Sequence, residues 1–247
     1  MKSAGSFYEG LHNLDREYSG GSYHMKSLWA SRSLKAWANR QTKTLRFLDV
    51  GCGRGIFIRD FVAGLNSRWQ IKPLRVIGID LVQSSSNVFQ EIPNFEFRIH
   101  DTDGNALPFE DHTFNFVSCN HVLEHVFETE KLIREFRRVL APDGLCLISV
   151  PNIAAWVNRL LFIFGSQPLG SELGTESITY GFWPPFLQSK LARFHPSGHI
   201  RDFTPRGLQN LTEHCGFKVI GWWPQSHGFI ARCGKWAGRE MSILIQK

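Results

Sequence analysis

Short apolar runs alternate with segments of helical spacing along the first 150 residues. Segments 56–65 and 130–140 place apolar side chains on one side of a helix. Runs rich in strand-forming residues lie around them, at 44–50, 76–81, 95–100, 114–120 and 145–150. This alternation predicts an α/β fold with a doubly wound, mostly parallel sheet in three α/β/α layers. Ligands of such sheets bind outside the carboxyl ends of the strands.

The pattern changes after residue 150. The sheet pattern lapses from 151 to 198, where segment 152–164 has helical spacing and segment 165–176 is loop-like. Thr204 followed by Pro205 is a typical helix start, because threonine caps the first turn and proline suits its first position. Gly216 ends that predicted helix. Two more strands are predicted after it, at 217–223 and 241–246.

The turn after the first strand contains alternating glycines at Gly51, Gly53 and Gly55, preceded by Asp49. Glycine permits positive φ and lets a ligand approach the bare backbone. A dinucleotide fingerprint requires G-x-G-x-x-G/A, but Ile56 stands where its last small residue should be. A carboxylate beside a phosphate would also cost Coulomb energy. The turn therefore predicts a site for a nucleoside that carries a positive amino group and no phosphate.

Three further motifs support such a cofactor. The first is the segment 76–81, an apolar strand that ends in an acid, Asp80. The second is 103–109, which reads D-G-N-A-L-P-F, and the third is 121–126, which reads H-V-L-E-H-V. Together with the glycine turn, they resemble the motifs of the class I S-adenosylmethionine (SAM)-dependent methyltransferases, including the LPF and LEHV stretches of that family. The resemblance covers most of 44–150 and resumes weakly at 199–223.

The resemblance implies a Rossmann-like sheet with an antiparallel C-terminal edge hairpin, and SAM as the cofactor. It implies that Asp80 holds the ribose hydroxyls, and that Asp103 and the backbone beside it hold the adenine. Asn115 departs from the family pattern, which usually has Asp there. The implied cofactor-binding residues are Asp49, Gly51, Cys52, Gly53, Gly55, Asp80, Leu81, Asp103, Gly104 and Asn120.

The elements also suggest a division of the chain. We predict an N-terminal helical lid at 1–43, a SAM-binding core at 44–150, a substrate-side insertion at 151–198, and a C-terminal part of the same core sheet at 199–247. The insertion contains an aromatic, proline-stiffened stretch at 182–186. Its rings could wall a pocket for a partly apolar acceptor, or they could only pack the insertion onto the core.

Histidines are the candidate catalytic groups. A hydroxyl acceptor needs a general base, and we assign this role to His125 and His199. Residues 121–125 also spell H-x-x-E-H, a zinc-peptidase pattern. That pattern requires a longer helix and a third protein ligand, and Pro196 and Gly198 indicate that His199 lies in a surface loop. We therefore predict no metal.

Charge is concentrated near the N-terminus. The chain has 28 basic and 22 acidic residues, a net charge of +6. Residues 26–46 contain six basic residues, no acidic one, and Trp29 and Trp37. This pattern predicts a basic amphipathic helix that binds RNA or an anionic membrane surface, or, as we favour, a solvated helix that covers the cofactor site.

Composition favours a cytoplasmic protein. The longest apolar stretch, 153–165, is interrupted by Asn158 and Arg159, so we expect no membrane span. The first ten residues lack the apolar core of a secretory signal. The five cysteines are scattered and odd in number, which is typical of reduced thiols.

The preferred function is transfer of a methyl group from SAM to an oxygen or nitrogen of a small, partly apolar metabolite. One alternative is an RNA methyltransferase that docks through the basic helix. Another is a SAM-binding partner or sensor protein without activity, and the replacement at Asn115 is the only feature that favours it.

Overall fold

The structure is a computed structural model that describes residues 28–29, 31–41, 44–225 and 238–247. Most of the predicted N-terminal lid, residues 1–27, lies outside the described residues, as does Cys233. The described elements are α1 (Arg32–Arg40), β1 (Thr44–Val50), α2 (Ile56–Trp69), β2 (Lys72–Asp80), β3 (Phe95–Ile99), β4 (Phe114–Asn120), α3 (Thr129–Val139), β5 (Leu140–Pro151), α4 (Trp156–Ile163), α5 (Pro185–Leu191), α6 (Pro205–His214), β6 (Lys218–Gln225) and β7 (Glu240–Gln246), with 3-10 turns at Asn87–Glu91 and Leu123–His125.

The described strands form one sheet in the order β3-β2-β1-β4-β5-β7-β6. Strands β1 to β5 pair with one another in parallel, whereas β7 runs antiparallel to both β5 and β6. The predicted α/β class, the parallel sheet and the antiparallel hairpin at its C-terminal edge are confirmed. The order reverses between β1 and β4, since β2 and β3 lie on one side of β1 and β4 and β5 on the other.

Each face of the sheet buries its own apolar core, because successive strand residues point to opposite faces. Leu48 and Val50 of β1 pack with Phe136 of α3 and Leu208 of α6 on one face. On the other face, Phe47 of β1 belongs to a cluster that includes residues of α1 and α2. Helices therefore cover both faces, and the three-layer architecture is confirmed.

Helix α1 is part of the second core. Ser31 caps it by accepting from the backbone N–H of Leu34. Trp37 is buried against Phe116 of β4, and Trp29 stacks on Phe61 of α2. The basic side chains of α1 face solvent while its apolar side packs on the sheet, so the predicted amphipathic helix is confirmed. A covering role for residues 1–43 stays a prediction.

Two predicted elements have different bounds. Strand β5 begins at Leu140, directly after α3, and includes the Ala-Pro-Asp-Gly segment that we read only as a helix stop. Helix α4 begins at Trp156 rather than at residue 152, because the side chain of Asn152 accepts from the Ala154 backbone and holds that segment in a turn. The described residues contain no helix that is long and apolar enough to cross a membrane.

Candidate active site

The reversal of strand order creates a crevice between the carboxyl ends of β1 and β4. Neighbouring connections leave such a point toward opposite faces of the sheet, which opens space for a ligand. The glycine turn follows β1, Asp80 ends β2, and Asn120 ends β4. The sheet therefore brings together side chains that lie up to 70 residues apart in sequence, as predicted from their positions after strands.

Backbone hydrogen bonds hold the glycine turn at this edge. Gly51 and Cys52 N–H groups both donate to Ile79 O of β2, at 2.8 and 3.1 Å. A Cβ on Gly51 would collide with the Val122 side chain, whereas a Cβ on Gly53 would meet nothing within 4 Å. Gly51 therefore serves packing, and Gly53 presents bare backbone to open space.

Asp80 links the ends of two strands. Its Oδ2 accepts from the Gly53 N–H at 2.8 Å and its Oδ1 from the Leu81 N–H at 2.7 Å. Each carboxylate oxygen can accept more than one hydrogen bond, so both can also accept from a ligand hydroxyl. The carboxylate is thus oriented before any ligand binds, and it stabilises the glycine turn.

Asp49 is buried beneath the glycine turn. One carboxylate oxygen accepts a short hydrogen bond from the Ser118 hydroxyl of β4. Burial raises the pKa of Asp49 to about 7; the Ser118 hydrogen bond partly opposes this change, and the charge of Asp80 adds to it. A buried carboxyl with this pKa gains from a cationic partner, which agrees with the predicted contact to an amino group.

Asn120 offers an unused donor at the same edge. Its Oδ1 accepts from the Ser149 hydroxyl at 2.8 Å. Its Nδ2 is buried and has no hydrogen-bond partner among the residues that the structure describes. Because a buried unpaired donor costs free energy, a ligand acceptor at this point would be favourable.

Three predicted cofactor residues have other contacts. The Cys52 side chain is buried in the second core, and a Cβ on Gly78 would meet its Sγ at 2.7 Å. Asp103 accepts from the backbone N–H groups of Phe127 and Glu128 at 3.0 Å, so it holds the segment that begins α3. Gly104 adjoins it with φ +74 and accepts from Lys131 Nζ through its carbonyl.

The two predicted bases lie against each other. The rings of His125 and His199 are 5.0 Å apart between centroids. Glu172 holds the loop of His199 by accepting from the N–H groups of Ser197 and Gly198, at 2.6 and 2.7 Å. His199 lies in a loop as predicted; residues 192–195 and 200–202 around it are exposed, whereas the His199 side chain itself is largely covered.

Sequence reasoning missed Glu124, which lies at the centre of this group. The side chain is fully buried, and its Oε1 accepts from His121 Nδ1 at 3.2 Å and lies 3.9 Å from His199 Nε2. Burial alone would lower the pKa of His121, but hydrogen bonds to Glu124 and Glu240 raise it to about 10. The H-x-x-E-H spacing was the signal. It marks a 3-10 turn here instead of the helix of a zinc peptidase.

Asn115 lies away from the crevice. It is the second residue of β4, at the amino end of that strand, and its Oδ1 accepts from the Arg46 N–H at 3.1 Å. Asn115, which replaces the usual acid, therefore serves strand pairing. The replacement gives no support to the hypothesis of a SAM-binding protein without activity.

A comparison with models of protein families shows to which family the chain belongs. A family model described as "Methyltransferase domain" matches residues 22–221, which is most of the chain. The chain belongs to the class I SAM-dependent methyltransferases. SAM is accordingly its cofactor, and the predicted family resemblance is confirmed.

Curated relatives agree with this family. A ubiquinone biosynthesis O-methyltransferase of Pasteurella multocida is 30% identical over 49% of this chain and 52% of its own length. The ubiquinone/menaquinone biosynthesis C-methyltransferase UbiE of Campylobacter jejuni is 30% identical over 43% of this chain and 44% of its own. The chain therefore aligns with about half the length of these relatives.

Solved structures share the fold. A SAM-dependent methyltransferase from Mesorhizobium loti has a TM-score of 0.52 at 16% identity, covering 89% of this chain and all of that one. The trans-methyltransferase CalH, in complex with S-adenosylhomocysteine (SAH), has a TM-score of 0.56 at 17% identity and covers 86% of this chain and 54% of that one. These TM-scores show that the chain shares the fold of the two methyltransferases.

Proposed function

We propose that this protein transfers the methyl group of SAM to an oxygen or nitrogen atom of a small, partly apolar metabolite. The observation that carries the proposal is the placement of the insertion 151–198. The backbone N–H of Ile153 donates to Phe203 O just beyond β5, and the N–H groups of Ile200 and Arg201 donate to Glu124 O just beyond β4. Both ends of the insertion are therefore fastened at the carboxyl edge of the sheet.

The insertion has the apolar character that such an acceptor requires. Phe182 is buried, whereas several large apolar side chains of the insertion are exposed to solvent: Trp156, Leu160, Phe162, Phe164, Leu173, Trp183, Phe186 and Phe194. Exposed apolar surface of this extent in one segment marks a site that binds a ligand, a partner or a membrane. We assign it to the acceptor, and peripheral membrane contact stays a prediction.

The crevice residues fit SAM. Asp80 would accept from the ribose hydroxyls, Asp49 would pair with the amino group, Asn120 Nδ2 would donate to the carboxylate tail, and Gly53 would leave room for the ligand. When bound, SAM supplies a methyl group already activated by its positive sulfur. The chain has to align the acceptor and exclude water.

His125 and His199 would remove the acceptor's proton. The Nδ1 of each ring contacts a backbone carbonyl, Gly198 O at 3.0 Å and Gly170 O at 2.7 Å. A carbonyl only accepts, so each Nδ1 carries the hydrogen and the lone pair of the neutral ring is on Nε2. Burial lowers the pKa of His125, which favours its neutral form.

RNA is a weaker candidate substrate. Trp29 and Trp37, which would stack on bases in the alternative hypothesis, are occupied by contacts with Phe61 and Phe116. Within the described part of the chain, neither of these two tryptophans therefore offers the basic residues of α1 an aromatic platform, although their charge could still attract a polyanion.

A metabolite extract tests the proposed function. We expect the full chain to convert SAM to SAH in the presence of the extract, with a small methylated product detected by mass spectrometry. His125→Ala and His199→Ala should reduce this turnover. Turnover with RNA alone, together with RNA binding that weakens steeply with salt, would contradict the proposal in favour of an RNA methyltransferase.

The affinity for SAH should depend on pH through Asp49. The amino group of the ligand favours the ionised carboxylate, so binding lowers the pKa of Asp49 and releases a proton below pH 7. We therefore expect affinity to rise about eightfold between pH 6 and 7.5, for a group that titrates near pH 7. Calorimetry should show this slope in the wild-type protein and a flat profile in Asp49→Asn. An equal slope in both proteins would contradict the assignment.

A further inference from the structure

The side chains of Glu124, His125 and His199 lie close together beside the crevice. One ligand-type atom from each residue lies within 4.8 Å of those of the other two. Two ligands on opposite sides of a divalent ion are separated by about 4.2 to 4.6 Å, from bond lengths of roughly 2.1 to 2.3 Å. Small side-chain rotations would therefore bring all three atoms onto one ion.

Both imidazoles have the orientation of metal ligands. Metal-binding histidines typically donate their second ring nitrogen to a carbonyl or carboxylate, which fixes the tautomer and the ring plane. His125 does so to Gly198 O and His199 to Gly170 O. The two carbonyls come from different parts of the insertion. Glu172 holds the part that contains Gly198 in place, by accepting from the N–H groups of Ser197 and Gly198. In both rings the tautomer therefore places the lone pair on Nε2, which is the form that binds a metal.

Glu124 supplies an independent sign of a ligand. It is fully buried, and its Oε1 is engaged by His121. Its Oε2 is also buried, yet it has no hydrogen-bond partner among the residues that the structure describes. A buried carboxylate oxygen without a partner is costly, and buried charges are normally paired or coordinate a metal.

We infer that Glu124, His125 and His199 bind a divalent transition-metal ion. Two imidazoles and one carboxylate favour ions such as Mn²⁺, Fe²⁺, Co²⁺ or Zn²⁺ over Ca²⁺ and Mg²⁺, which prefer oxygen ligands. The inference replaces our expectation of no metal. It also differs from the zinc-peptidase pattern, because His121 positions Glu124 here and the third ligand comes from residue 199.

The ion would serve the acceptor, and this part of the inference rests on the proposed function. A divalent ion lowers the pKa of a hydroxyl that binds to it. The hydroxyl proton would then pass to water, and the oxygen would form its bond to the methyl carbon. The carbon–sulfur bond would break with its electron pair moving to sulfur, which leaves neutral SAH. With their Nε2 atoms on the ion, His125 and His199 would not take the proton themselves, and this role would replace direct proton removal by the two rings.

Binding of Co²⁺ to the full chain tests the site without SAM or acceptor. The protein should be treated with a chelator and carry no polyhistidine tag. Visible absorbance and calorimetry would measure Co²⁺ binding, and calorimetry with Mg²⁺ would give the affinity for comparison. We expect one Co²⁺ per chain, bound more tightly than Mg²⁺. Glu124→Gln and His199→Ala should each weaken it at least tenfold, whereas the control His195→Ala, four residues away in the same loop, should bind like the wild type.

The outcomes separate this inference from the proposed function. Equal Co²⁺ affinity in the wild type and both site variants, or far less than one ion per chain, would overturn the metal site. SAH affinity, measured in each variant, shows that the variants are folded. Stoichiometric Co²⁺ binding without any methylated small-molecule product would uphold the metal site and contradict only the proposed function. Full turnover in excess chelator, together with no Co²⁺ binding, would uphold the proposed function and overturn the metal site.

Discussion

Gly53→Val is expected to abolish SAM binding and leave the fold intact. Gly53 is the glycine of the turn whose added Cβ would meet no protein atom within 4 Å, so valine methyl groups would enter the space that we assign to the cofactor. Its φ of +50 adds backbone strain of about 1 to 2 kcal/mol for a residue with a side chain. We expect calorimetric affinity for SAH to fall by more than about 100-fold, which is about 3 kcal/mol.

Gly165→Val is the matched control for strain. Gly165 follows α4, has a φ of +65, and also has nothing within 4 Å of an added Cβ. Both variants should therefore show similar losses in thermal stability and similar circular dichroism, but only Gly53→Val should lose SAH. If the two variants bound SAH equally well, Gly53 would not face the cofactor. If Gly53→Val alone unfolded, its effect would be structural.

The core of the fold could be predicted because its signals are local. Strands β1 and β4 are apolar and short, and they end at a glycine turn and at a polar residue. Helices α2 and α3 come after them in the chain and have apolar residues at helical spacing. Helix α4 shows the limit of such signals. Its spacing correctly predicts a helix, yet Trp156 and Leu160 remain substantially exposed. Spacing identifies a face but cannot tell which element covers it.

The cofactor crevice could be predicted for the same reason. Asp49, Gly53 and Asp80 lie directly at the ends of strands, and parallel strands bring such ends together. Sequence position could not show that Asp103 holds Phe127 and Glu128, or that the Cys52 thiol turns into the core. Those details depend on which neighbours the side chains meet, and only the folded chain establishes that.

The histidine pair shows what a motif leaves out. His125 and His199 were each chosen for their chemistry, but their contact requires a loop to return across 73 residues to Gly198. Glu172, which ties that loop down through three backbone N–H groups, belongs to no recognised pattern. The buried Glu124 likewise gains its meaning only from the neighbours that the loop brings to it.

Asp80→Ala is expected to weaken SAM binding by about 1 to 3 kcal/mol, because charge-assisted hydrogen bonds to the ribose hydroxyls would be lost. This corresponds to a roughly 5- to 150-fold lower affinity. The same substitution removes the acceptor for the Gly53 and Leu81 N–H groups, so the glycine turn loses a stabilising contact as well. Calorimetry with SAH measures the affinity, and thermal melting measures the stability.

Two comparisons separate ribose recognition from these other effects. Asp60→Ala removes the same charge from a half-buried position in α2, where the carboxylate pairs with the neighbouring Arg59 at 2.8 Å. This control should change SAH affinity less than about twofold. Asp80→Ala should also lose its discrimination between SAH and the analogue whose ribose lacks both hydroxyls, since the wild type alone can bond to them. If Asp80→Ala preferred SAH over that analogue as strongly as the wild type does, Asp80 would act on the turn and not on the ribose.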